Sequence, residues 1–307
     1  MPSPAEPAIV LGSDGFIGRH LVRTLHEQGR PVTAIGRAAG DFADWSAVER
    51  ALAAAPKAGD IFHLITRQRT GPIQYKIQGE LLAINARIHL NVLEAWRRHQ
   101  PQAKLISAGS SCVYPESERP IPESAFRGGP LHPSVRGYGL AKELLIVGSG
   151  NYASRYGLKY LHCVLATVYG PGDHKSEHRS HFMAGMIDRA VREKQAGAPF
   201  TVWGAPDTVR DLLYVDDQIA AILAANRAFE NEIVNCGSNQ PITIDQAART
   251  IVAALDWQGP IVYLENTFRG THSKSIDSSK FLTTTGWKPR VNLAAGVEAV
   301  LEADYKR

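Results

Sequence analysis

Tyr138 and Lys142 form the only Tyr-x-x-x-Lys pair of the chain, and residues four apart on a helix share one face. Such a pair suits proton transfer. A phenol has an ordinary pKa of about 10, so it trades a proton at neutral pH only where positive charge stabilises the phenolate. Lys142 would supply that charge; on an open helix surface the same two residues would be a solvated pair, so their surroundings must decide. Those surroundings include Ser110-Ser111-Cys112-Val113-Tyr114-Pro115, which follows an apolar run and so sets two hydroxyls and a thiol at the end of a strand.

A second constellation lies near the start. The apolar run Ala8 to Leu11 ends in Gly12-Ser13-Asp14-Gly15-Phe16-Ile17-Gly18. Glycines at this spacing let a backbone approach a pyrophosphate, and the helix start that follows offers free N–H groups and a positive dipole end. Gly12, Asp14, Gly15, Phe16, Ile17 and Gly18 are therefore candidate dinucleotide contacts, the competing reading being an ordinary tight turn. At the end of the next strand, where sites for NAD usually carry an acid, the chain reads Gly36-Arg37, and an arginine favours the 2′-phosphate of NADP(H); NAD(H) stays open. Asp41 and Phe42 would border the adenine, or Asp41 caps a turn. Leu64 would flank the cofactor, as would Tyr138 and Lys142.

The elements that must position these groups alternate. Strands are expected at 8–11, 31–35, 60–64, 104–108 and 158–165, with helices following Gly15 and over 45–55, 75–99 and 138–155, a pattern that implies a parallel sheet. Beyond Val168 the pattern loosens. A polar loop containing His174, Lys175, His178, Arg179 and His181 leads to a helix over 182–194; strands at 200–203 and 232–235 and helices at 216–228, 244–256 and 293–303 would build a smaller lobe at the carboxyl edge, where open α/β sheets bind ligands. The expectation is an α/β protein, a Rossmann-type doubly wound parallel sheet over 1–168 binding NADP, with a smaller α/β substrate lobe over 169–307, some of whose segments return to the sheet.

Composition narrows the partners. The 307 residues are 44% hydrophobic and 21% charged, enough apolar matter for a core. A net charge of +4, spread along the chain, is not the clustered basic face that nucleic acid requires. No apolar run is long enough to span a membrane. Three widely spaced cysteines, Cys112, Cys163 and Cys236, form neither a metal motif nor a disulfide framework and suit a reducing cytoplasm.

The glycine turn, the Ser-x-x-Val-Tyr run, the single YxxxK, Arg210-Asp211-Leu212-Leu213-Tyr214-Val215-Asp216-Asp217 and Asn235-Cys236-Gly237 occur in the order found in extended short-chain dehydrogenases/reductases that act on nucleotide sugars. The chain resembles that family over nearly its whole length. Through Ser110-Ser111-Cys112 and Ser180-His181 it most resembles the NADPH-dependent members that epimerise and reduce a GDP-linked 4-keto-6-deoxy sugar. The resemblance implies Ser110, Tyr138 and Lys142 as catalytic triad, Cys112 and His181 as proton-transfer pair, and Ser111, Arg189, Trp203, Arg210 and Lys274 as substrate contacts; it also implies a homodimer built on helices 75–99 and 138–155. On residue type alone Cys112 is as well read as a small buried residue, His181 as a loop or cap residue, Arg210 as a partner of Asp211 and Trp203 as packing. Three stretches depart from the family pattern: His63-Leu64-Ile65-Thr66-Arg67, Arg136-Gly137 before the tyrosine, and His272-Ser273. Two other functions remain open, a nucleotide-sugar 4-epimerase or plain 4-ketoreductase, and a non-catalytic NADP sensor; against the sensor stand the three triad residues, which sensing does not require.

Overall fold

The computed structural model describes residues 6–175, 181–264 and 273–305. Strand β1 (Ala8–Leu11) is buried on both faces, so it reads as a continuous apolar run rather than an alternating one. Successive side chains point to opposite sides. Ala8 and Val10 pack with Phe16, Leu21 and Leu25 of helix α1 (Phe16–Glu27), while Ile9 and Leu11 face the opposite layer.

The chain then alternates through β2 (Val32–Ile35), α2 (Trp45–Ala54), β3 (Asp60–His63), α3 (Gln78–His99), β4 (Lys104–Ser110), α4 (Arg136–Tyr156) and β5 (Tyr160–Leu165). Helix α3 starts later than periodicity suggests because Gly71, at φ +79°, and Pro72 open a separate 3-10 turn over Pro72–Lys76. Helices α2, α3 and α4 cover one face of the sheet around Val48, Leu52, Val92, Trp96 and Leu145.

After β5 come β6 (Thr167–Tyr169), α5 (Phe182–Gln195), β7 (Phe200–Trp203), β8 (Val209–Arg210), β9 (Leu212–Tyr214), α6 (Val215–Ala228) and β10 (Glu232–Cys236). The sequence pattern suggests a place in the smaller lobe for 216–228 and 232–235. Both belong to the main layer: β10 pairs with β5, Glu232 opposite Leu161, and α6 packs beside α1 through Val215, Ile219 and Ile222. The reason is that β10 is apolar enough to be buried as a sixth strand. The parallel order is β2-β1-β3-β4-β5-β10, which places the topological switch at β1.

Strand β11 (Ile242–Thr243), α7 (Ile244–Ala254), β12 (Ile261–Leu264), β13 (Ser273–Lys274), α8 (Ser279–Thr285) and α9 (Leu293–Tyr305) complete the chain. Helix α8 joins the main layer through Phe281. A separate core of Met183, Ile187, Phe200, Val202, Ile251 and Val297 holds the lobe of α5, α7, α9 and the β7–β12 pair. Pairing of β6 with β9, and of β8 with β11 and β13, ties this lobe to the sheet's carboxyl edge. Among the described residues no helix is long and apolar enough to cross a membrane.

Candidate active site

A cavity of about 800 Å³ opens at the carboxyl ends of β1, β3 and β4. Its floor is the glycine turn. Gly12 has φ +89°, and a Cβ there would press on Ile65, 3.1 Å from its side chain and 3.3 Å from its backbone nitrogen. A Cβ on Gly18 would lie 2.1 Å from the Gly12 carbonyl oxygen, so only glycine lets α1 start this close to β1. Gly15 caps α1 without a side-chain hydrogen bond, which leaves the first-turn N–H groups available to an anion. The cradle fits a pyrophosphate. Asp14, Gly15, Phe16, Ile17, Arg37, Asp41, Phe42 and Leu64 all line the same cavity. Asp41 receives the Ala43 amide at 3.0 Å and the Arg67 guanidinium at 3.3 Å, so it caps a turn and pairs with a charge as well.

The reactive groups stand further along the same wall, where Ser110, Ser111, Cys112, Tyr138, Lys142, His181, Arg210 and Lys274 line it together. Ser110 ends β4 and accepts the Cys112 amide at 3.3 Å, which folds the following residues into a 3-10 turn and buries the thiol. Tyr138 and Lys142 lie on the inner face of α4, 5% and 2% exposed, so the reading of a solvated pair is excluded. The Lys142 Nζ donates to the Ala108 carbonyl at 2.8 Å and sits 5.9 Å from the centre of the Tyr138 ring.

Burial sets the proton states. It pushes the Tyr138 phenol above its ordinary value, aided by the nearby Cys112 and opposed by a hydrogen bond with Thr66. It pulls the Lys142 ammonium down to about 8, against an upward pull from Cys112. Tyr138 thus rests protonated at neutral pH, the state an acid needs. Around Lys142, His63, His89 and His162 are kept neutral by burial and by its charge, His63 down to about 3, so they do not add to that charge.

His181 enters from the start of α5. Burial lowers its pKa, but a hydrogen bond and the charge of Asp173 outweigh this and raise it above its ordinary value. The Nδ1 lies 2.9 and 3.0 Å from the two Asp173 oxygens, and that carboxylate is 1% exposed. The Lys274 Nζ is 3.9 Å from the Cys112 Sγ. Arg210 is drawn down to about 10 by burial.

Two expected substrate residues stand apart. The Arg189 guanidinium lies 3.8 Å over the Trp203 ring and donates to the Thr201 carbonyl at 3.2 Å; neither residue lines the cavity. Ser180 and His272 lie outside the described residues, as do His178 and Arg179. Two residues beyond the sequence reading enter the site. Asp173 follows the Gly170-Pro171-Gly172 turn after β6, and an acid in a loop at a sheet's carboxyl edge was the available signal. Thr66, in the stretch after β3 that departs from the family pattern, lies beside the Tyr138 phenol and lowers its pKa, with its hydroxyl 3.2 Å from the Asn85 Oδ1.

A doubly wound sheet, a glycine turn built for a dinucleotide, and serine, tyrosine and buried lysine beside it define an NAD(P)-dependent oxidoreductase or epimerase. The family model "NAD dependent epimerase/dehydratase family" matches residues 8–237, and the chain belongs to that family. Among curated relatives, the probable GDP-L-fucose synthase 1 of Oryza sativa subsp. japonica is 33% identical over 221 residues, 71% of this chain and 67% of that one. GDP-L-fucose synthase 1 of Arabidopsis thaliana is 30% identical over 303 residues, 97% of this chain and 92% of that one. In three dimensions the chain shares the fold of a GDP-L-fucose synthetase from Naegleria fowleri, with TM-score 0.87 and 23% identity over 99% of this chain and 95% of that one.

Proposed function

We propose that the protein is an NADPH-dependent epimerase and 4-ketoreductase of a GDP-linked 4-keto-6-deoxy sugar. The observation that carries this is one cavity wall bearing Ser110, Tyr138 and Lys142 together with Cys112 and His181, on the same cavity as the glycine turn. The names of the relatives support the GDP-linked substrate, and Arg37 at the end of β2 supports NADP(H).

Tyr138 and Ser110 would hydrogen-bond the C4 carbonyl, and the same polarisation acidifies the protons on C3 and C5 beside it. Cys112 would take a proton from one face of the ring and His181, its imidazolium favoured by Asp173, return one to the other. The glycine turn and this wall would hold a nicotinamide coenzyme, whose chemistry would be hydride donation to C4. Tyr138 would then give its proton to the C4 oxygen, with the Lys142 ammonium stabilising the phenolate left behind. Arg210 and Lys274 place positive charge on the cavity wall for the substrate's diphosphate, with Ser111 as a further contact. Arg189 and Trp203 pack on each other outside the cavity and are left out of the proposed substrate contacts.

We place the protein in a reducing cytoplasm, which three free, buried thiols support. A homodimer through α3 and α4 is supported by Leu90, Leu140, Val147 and Tyr156, which these helices leave exposed.

The test is turnover in heavy water with GDP-4-keto-6-deoxymannose and NADPH. Oxidation of NADPH with deuterium at C3 and C5 of the product supports the reading. Oxidation with no deuterium would leave a plain 4-ketoreductase, and a protein that binds NADPH but oxidises none would be a sensor.

A further inference from the structure

The end of β2 carries no acidic side chain, yet a carboxylate stands there. Asp14, from the glycine turn, accepts the Arg37 backbone N–H at 2.7 Å through Oδ2. Gly36 makes the room: a Cβ at that position would lie 2.2 Å from Asp14 Oδ2 and 2.3 Å from Asp14 Oδ1. The last residue of this turn therefore cannot bear an acid of its own, because the space is taken by one reaching across from the neighbouring strand's loop. Both residues line the cavity, and Asp14 and Arg37 are both exposed to what enters it.

In open α/β sheets, an acid at this position accepts from the ribose hydroxyls of NAD, whereas an arginine nearby receives the 2′-phosphate of NADP. This chain has both. The carboxylate favours a ribose diol, whose hydroxyls donate, and repels a phosphate dianion; the guanidinium of Arg37 attracts that dianion. Asp14 also occupies the Arg37 amide, a backbone donor that a 2′-phosphate would otherwise use. We propose that Asp14 is the residue that sets cofactor choice, and that by opposing Arg37 it lets the protein take NAD(H) at an affinity comparable with NADP(H). This rests on the dinucleotide reading above and extends it to the adenosine end.

The test is calorimetric binding of NAD⁺ and NADP⁺ to the whole protein, without sugar substrate, so that it reads no turnover. The wild type is expected to bind the two with Kd values within about tenfold of each other. Asp14→Asn keeps an oxygen for the Arg37 amide and removes the charge; it should shift the Kd ratio toward NADP⁺ by about tenfold or more. Arg37→Gln should move the ratio the opposite way. A wild type that prefers either nucleotide by more than about tenfold, or a ratio unmoved by Asp14→Asn, would overturn the assignment while leaving the dinucleotide site intact. Binding of neither nucleotide would overturn both.

Discussion

Asp173 grips the His181 imidazole through both carboxylate oxygens, 2.9 and 3.0 Å from Nδ1, and is itself all but removed from water. A carboxylate only accepts, so Nδ1 carries the hydrogen and Nε2 is left for proton exchange. The arrangement fixes one tautomer and favours the charged ring.

Asp173→Asn is therefore expected to slow deuterium wash-in on the order of 100-fold, the scale of a general acid's contribution. Because Asp173 raises the His181 pKa against burial, the alkaline limb of the wash-in profile should move to lower pH in the variant. The stability that the pair contributes is complete below the ordinary value of 6.5 and fades as pH rises through the raised one. The gap in Tm between variant and wild type should accordingly close in alkali. An unmoved pH profile would reduce Asp173 to a packing role.

What the sequence disclosed was local. The glycine turn and the Tyr138–Lys142 spacing are short-range patterns whose geometry follows from a strand, a turn and a helix, and both sit where their spacing implied. Partnerships across the fold were hidden. Asp173 and His181 are separated by a stretch of sequence without periodicity, Thr66 meets Tyr138 only because β3 and α4 converge, and Asp14 reaches β2 only because the neighbouring glycine leaves space. The placement of β10 was hidden for a different reason: a short apolar strand looks the same in a lobe as in a sheet edge, and only pairing with β5 separates the two.

Lys142 should cost stability in exchange for function. Its folded pKa of about 8 is below the ordinary 10.5, so the folded state holds fewer protons between those values and the penalty is complete below pH 8. Lys142→Met, measured without nucleotide, is expected to raise Tm at neutral pH on the order of 5 °C. The gain should vanish above pH 10.5, where the lysine is neutral in both states. Turnover should fall on the order of 1,000-fold, since the phenolate loses its counter-charge. A variant less stable at pH 7 would mean that the Ala108 hydrogen bond outweighs desolvation.

Thr66 acts on the phenol from the side opposite to burial: its hydrogen bond lowers the Tyr138 pKa. Asn85 takes the Arg67 amide at 2.7 Å, so the loop stays pinned without the hydroxyl, whose single hydrogen turns from Asn85, 3.2 Å away, to the phenol oxygen when that oxygen is charged. Thr66→Val preserves shape and removes only that hydroxyl. Steady-state assays should show kcat reduced about tenfold, at the lower end of acid–base effects, with KM for the keto sugar nearly unchanged. The limb of the kcat profile that reports the phenol should move upward in pH; a KM effect alone would make Thr66 a binding residue.

Gly137, immediately before Tyr138, is required by the packing of two helix starts. A Cβ there would lie 2.0 Å from the Gln78 carbonyl oxygen at the head of α3, and the Gly137 amide donates to the Gln78 side chain at 2.5 Å. Alanine would force the two helix starts apart, an overpacking cost of about 2 kcal/mol, visible as a lower denaturation midpoint at unchanged slope. Because Tyr138 rides on the displaced turn, Gly137→Ala should also lose kcat by about tenfold or more, since small misplacements of a catalytic group are costly. Proline would add the loss of the N–H donor and fare worse on both counts. An alanine variant with wild-type stability would show that the α3–α4 junction yields freely, and the glycine would then carry no structural demand.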